Sequence, residues 1–197
     1  MANPKAIVLI GHGFVSEPIY HNDTSTLSAA DRDRIAEAVR LANYEGMGTI
    51  FYTEDVPYTP KLPHMTVAWC NSLVMRSLVN PNMRHKLVPG KNPYEQCWNT
   101  YWIAGMRRIS CLKVIASTGY FEAFGRMWTR AGERQDITVR LVSAPVRKGP
   151  SEEPVADTHD INAWDVTLAD MATAGGKFGH KLASVLANLA IRDAVRV

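Results

Sequence analysis

Residues 5–14 read KAIVLIGHGF, and five consecutive apolar residues, Ala6 to Ile10, run straight into a Gly-His-Gly turn. A run this short, rich in Ile, Val and Leu and closed by glycine, suits a strand covered by helices on both faces. It predicts a parallel sheet. In open sheets of that kind ligands bind beyond the carboxyl ends of the strands, which puts Gly11, His12 and Gly13 on the functional rim.

The rest of the chain repeats the alternation that this strand begins. Ser28 with Asp31 three residues later is a helix-start signal, and Ile35, Ala38, Val39 and Ala42 recur at i, i+3, i+4 and i+7 before Gly46 stops the helix at about Glu45. TIFYT, from Thr49 to Thr53, is rich in β-formers and delivers Thr53, Glu54 and Asp55 to the same rim. Prolines 57, 60 and 63 stiffen the following loop, and a helix from about Thr66 to Val79 turns Val67, Cys70, Val74 and Leu78 inward. A third strand is expected over residues 85–88. Asn92-Pro93-Tyr94-Glu95 then combines a cap, a proline at the first helical position and a capping-box glutamate. The helix that it opens carries Tyr94, Cys97, Trp98, Tyr101 and Trp102 on one face, a pattern that belongs to core more often than to a stacking platform. Lys113 to Ser117 is the next strand, Ser117-Thr118-Gly119-Tyr120 its exit turn, and a helix to Ala131 precedes a strand over Ile137 to Ser143.

Together these elements predict an α/β fold: a three-layer Rossmann-like sandwich with a mainly parallel sheet of about five strands. At 197 residues and 46% hydrophobic content the chain supports one domain. Its core would span residues 1–147. Residues 148–197 would add an exposed loop, a short helix at 163–171 and a longer one at 178–194 with Leu182, Val185, Leu186 and Leu189 inward.

The net charge of +3 arises from interspersed basic and acidic side chains with no Lys/Arg block, so no nucleic-acid partner is expected. Three cysteines at long spacings, with no CxxC pair, read as reduced thiols. No apolar stretch approaches the roughly 18 residues of a membrane span, and none resembles a signal-peptide core, so a cytoplasmic location is expected. Oligomeric state has no signature here.

The glycines of Gly11-His12-Gly13 would let backbone N–H groups approach an anion, with the dipole of a nearby helix N-terminus adding to the attraction. The motif is neither GxGxxG nor a Walker A loop, and the same residues also suit an ordinary tight turn. His12 is read as a proton carrier or ligand contact, or as an exposed turn residue. Glu95 is read as a second proton carrier, or as the carboxylate of a capping box. Thr53, Glu54, Asn92, Ser117, Thr118 and Tyr120 lie at strand exits where polar groups can hold phosphate or ribose, while Ser117 equally suits a helix cap. Arg34 and Arg126 would stabilise ligand charge, although Glu122 and Arg126 at i and i+4 also suit a surface ion pair. His21, Asp23, Glu54, Asp55 and His64 match no ligand spacing, so no metal site is expected.

The order of these motifs (the glycine turn, LSAADRDRIAEAVRL, GKNPYEQCWNT, VIASTGYFEAFGRMWTRAG and a strand ending in SAP) resembles the YdcF/SanA/ElyC family over roughly residues 6–145. The resemblance implies a Rossmann-like fold, a role linked to cell-envelope precursors, and S-adenosylmethionine or a nucleotide as ligand. Arg34 matches an arginine on the family's first helix. Asn92 and Glu95 match part of its Ser-x-Asn-Thr-x-Glu-Asn signature, with Pro93 and Gln96 departing from it. Of its Tyr-His-Met-x-Arg signature only Tyr120 is in place, Phe121 standing where the histidine belongs and Arg126 being displaced; Glu54-Asp55 replace a Gly-Gly, and Asn71 stands for a glutamate. Three functions stay open at this point. The chain binds and transforms a nucleotide-like or phosphate-bearing molecule, as a transferase or hydrolase; or it is a non-catalytic ligand-sensing or partner-binding module; or VLIGHG opens a sirohydrochlorin-type metal chelatase.

Overall fold

The computed structural model describes residues 4–11, 27–53, 66–90 and 92–144. The expected elements beyond residue 144, and the residues His12, Gly13, His21, Asp23, Glu54, Asp55 and His64, lie outside the described residues. Within them the chain runs β1 (Lys5–Leu9), α1 (Ala29–Tyr44), β2 (Thr49–Tyr52), α2 (Val67–Leu78), β3 (Arg84–Leu87), α3 (Pro93–Met106), β4 (Cys111–Ala116), α4 (Thr118–Gln135) and β5 (Thr138–Ser143).

All five strands join one parallel sheet in the order β3-β2-β1-β4-β5. Successive side chains of a strand point to opposite faces, and this alternation separates two cores. Ala6, Val8, Ile10, Phe51, Leu112 and Val114 pack against Tyr94, Cys97, Tyr101, Met127 and Trp128 of α3 and α4. Ile7, Leu9, Ile50, Tyr52 and Ile115 pack against Ile35, Ala38 and Leu41 of α1 and Ala68, Val74 and Met75 of α2. The result is a three-layer α/β sandwich. The chain moves outward from β1 to β3, then crosses back to β4 and β5. Right-handed crossovers in opposite directions require helices on opposite faces, which is where the two pairs lie.

Each helix start is set by a local side chain. Ser28, Thr66, Asn92 and Ser117 accept from the N–H three residues on, each contact contributing about 1 kcal/mol. Gly46, at φ +63°, ends α1 where only glycine takes the left-handed conformation cheaply.

Three expectations need adjusting. The helix after β4 continues to Gln135, past Ala131, and Asp136 at φ 54° closes it in the left-handed conformation that Asp tolerates. Leu78, expected inward, is half-exposed at the end of α2. Trp102, placed on the aromatic core face, is 63% exposed. At 100° per residue it stands about 140° around α3 from Cys97, whose neighbours Thr100, Tyr101 and Ala104 form the buried side. Trp98 lies between the two and is partly buried against the core. Among the described residues no helix is long and apolar enough to cross a membrane.

Lys113, in the middle of β4, is a charge the strand pattern does not foresee. Its ammonium reaches the carboxylate of Glu45 at the C-terminal cap of α1, so the stem is covered while the charge is paired near the surface. The hydrogen bond from Lys113 holds the Glu45 carboxyl below its usual range.

Candidate functional site

The carboxyl ends of the strands are levelled by hydrogen bonds that continue the ladder past each strand. The Thr53 N–H donates to Leu9 O (3.1 Å), Ile10 N–H to Ile115 O (3.1 Å), Val88 N–H to Tyr52 O (2.8 Å) and Ala144 N–H to Ala116 O (2.9 Å). Gly11, Thr53, Asn92 and Ser117 therefore share one edge. The strand order reverses between β1 and β4, so the crevice at the switch point opens between the exit at Gly11 and the exit at Ser117, on strands roughly 5 Å apart.

Ser117 caps α4, its hydroxyl accepting from Tyr120 N–H at 3.1 Å, so the first N–H groups of an 18-residue helix face this crevice. Thr118 is exposed, with its hydroxyl 3.4 Å from that of Ser143. The Tyr120 hydroxyl accepts from Trp128 Nε1 at 3.1 Å, which ties that side chain to the α4 core. On the far side of β1, the Thr53 hydroxyl donates to Leu9 O at 3.3 Å.

Asn92 caps α3 through Glu95 N–H (2.9 Å), the helix-start half of the expected capping box, and Glu95 stands half-buried in the first turn. The loop before it is drawn in tightly. Asn99 Nδ2 donates to Pro89 O (2.7 Å), and a Cβ on Gly90 would come within 2.7 Å of Gln96 N, so only glycine lets the β3 exit lie against α3. Arg126 is not at the crevice. Eight residues into α4, about 12 Å along its axis, it lines an open groove against β5 with Phe121, Gly125 and Leu141.

Beneath the β1 exit lies a buried polar cluster. Arg34 is only 1% exposed and donates from Nη1 to Ile10 O at 3.1 Å. Asp31 is fully buried; its carboxylate accepts from Ser28 Oγ (3.1 Å) and from Asn71 Nδ2 of α2 (3.2 Å). Burial, with the Asp31 carboxylate adding to it, pushes the Cys70 thiol up to about 11, so this cysteine is no nucleophile at neutral pH. Burial likewise raises Tyr94, at the start of α3. The role of Asp31 is hidden in the sequence because the cap accounts for it; Asn71, polar beside Val67, Cys70 and Val74 on the apolar stripe, is the signal that points to it.

Among the described residues no group of three or more His, Cys, Asp or Glu side chains is placed to hold a metal. What the edge offers is backbone N–H donors, short hydroxyls, a half-buried carboxylate and a buried guanidinium on the Ile10 carbonyl. That set suits anion binding.

The fold and this edge define an α/β protein with a parallel five-stranded sheet and a crevice at its switch point. No protein-family model matches the chain, and no curated protein and no solved structure matches it either.

Proposed function

We propose that the chain binds a nucleotide-like or phosphate-bearing small molecule, a nucleotide or S-adenosylmethionine, at the carboxyl edge of the sheet, as a divergent member of the YdcF/SanA/ElyC family. The observation that carries this reading is the strand order β3-β2-β1-β4-β5, which sets the glycine exit of β1 beside the capped N-terminus of α4. An anion in that crevice meets N–H groups from both sides. Transfer or hydrolysis at a bound phosphate would draw on the same amides for charge, with His12 or Glu95 moving a proton.

A binding module without turnover is the second reading, and one observation favours it. Asn92, Ser117 and Tyr120 already spend side-chain groups on caps and on Trp128, which leaves little dedicated chemistry among the described rim residues. Native mass spectrometry of the purified protein, followed by assay of any retained ligand for turnover, separates the two. Gly11→Val and Gly13→Val should abolish binding with an unchanged circular dichroism spectrum, because a branched side chain fills the approach to the backbone. Unaltered affinity in both variants removes this turn from the site.

A further inference from the structure

We infer that Arg34 is a positioning residue that aims the Gly11 amide at a bound phosphate group, acting through the Ile10 carbonyl. The inference rests on the anion-binding reading above and names what prepares that site. Ile10 is the first residue past β1, and both its backbone groups are held from opposite elements. Its N–H donates to Ile115 O of β4 at 3.1 Å, and its carbonyl accepts from Arg34 Nη1 of α1 at 3.1 Å. The peptide joining Ile10 to Gly11 is planar and trans, so its N–H points away from whatever its carbonyl faces. The guanidinium thus sets the direction of the Gly11 N–H, turning it away from α1.

A buried arginine is a costly way to seal a helix onto a sheet, since an apolar side chain of similar volume does so without desolvating a charge. The distinctive contribution of Arg34 is a fixed cationic donor under one carbonyl at the rim. Its helix is tied in turn: Asp31, one turn earlier, is bonded to Ser28 on α1's own cap and to Asn71 on α2, which links the first turn of α1 to α2. The preferred ligand group is a phosphate or pyrophosphate, whose anionic oxygens accept from an oriented amide.

The test is an amide NMR titration of the full chain with inorganic pyrophosphate, on the wild type, Arg34→Lys and Arg34→Met. The Gly11 amide of the wild type should shift saturably; Arg34→Met should weaken the affinity at least tenfold and shrink the Gly11 shift, with Arg34→Lys, which keeps a cationic donor without the planar fork, falling between. Equal affinity in Arg34→Met with the same Gly11 shift overturns the positioning role and leaves the anion site standing. No Gly11 shift in the wild type overturns the anion site itself. Should Arg34→Met fail to fold, the wild type still decides: a guanidinium held on Ile10 O gives slowly exchanging Nη protons with a nuclear Overhauser contact to the Gly11 α protons, which a trans peptide sets on the carbonyl's side, and fast-exchanging protons without that contact refute the device.

Discussion

Two glycines on helices, Gly132 on α4 and Gly105 on α3, should respond to alanine with opposite signs. By propensity alone each substitution gains up to about 1 kcal/mol, because glycine surrenders more backbone freedom in a helix than alanine does. At Gly105 nothing lies within 4 Å of an added Cβ, so the gain should be realised. At Gly132 the added methyl would strike Val139 Cγ2 and lie 2.7 Å from Ile137 O and 3.0 Å from the Tyr101 hydroxyl. None of the three yields easily. Val139 is β-branched and stiff at χ1, Ile137 O is backbone in the turn closed by the 3.0 Å bond from Ile137 N–H to Gly132 O, and the Tyr101 hydroxyl is bonded to Trp128 O at 2.6 Å. Overpacking of this kind costs about 1–3 kcal/mol, which outweighs the propensity gain. The propensity term cancels between the two variants, so they should differ by the overpacking cost of about 1–3 kcal/mol, or roughly 2–12 °C in Tm for a domain of this size. Thermal melts and urea titrations of both measure it. A Gly132→Ala protein that melts at or above the wild type would refute the packing argument.

Burial and the nearby Arg76 charge hold the His85 imidazole below its usual value, and its Nδ1 is hydrogen-bonded with the Tyr52 hydroxyl at 2.6 Å. The unfolded chain therefore binds this proton first, so the contribution is complete above the ordinary histidine pKa of about 6.5 and is lost as pH falls from there towards the lower folded value. Urea midpoints of the wild type should drop between pH 7 and 5.5 more than those of His85→Gln, and equal slopes would refute the assignment. Of the three cysteines, Cys111, which alone is not buried, should react with Ellman's reagent at pH 8 while Cys70, held at about 11, and Cys97 stay protected until the protein unfolds. Trp102→Ser should change stability by less than about 0.5 kcal/mol, whereas Trp128→Ala, at a side chain with no exposure, should cost about 3–5 kcal/mol. Chemical denaturation of both tryptophan variants checks the contrast, and similar losses in both would refute the placement of Trp102.

The elements were legible in the sequence because their signals are local. Ser28, Thr66, Asn92 and Ser117 cap their own helices within three residues, and β1, β2 and β4 announce themselves by short β-branched runs that need no partner to be recognised. Parallel pairing follows from the alternation with helices, and with it the common rim of Gly11, Thr53, Asn92 and Ser117. Neither the order of the strands nor the cluster behind the rim is a local property. That β4 lies beside β1, and so that the switch point falls at Gly11 and Ser117, depends on a crossover whose direction no periodicity encodes. Trp102 carries the same aromatic signal as Tyr101, but a helical stripe is buried only across the arc its neighbours reach, and Trp102 falls outside it. In the sequence Asp31 reads as part of a helix start, Arg34 as a ligand contact and Asn71 as a polar break in an apolar stripe; packing α1 and α2 over the β1 exit buries them together, because only there do a carboxylate, an amide and a strand-end carbonyl come within hydrogen-bonding distance of their partners.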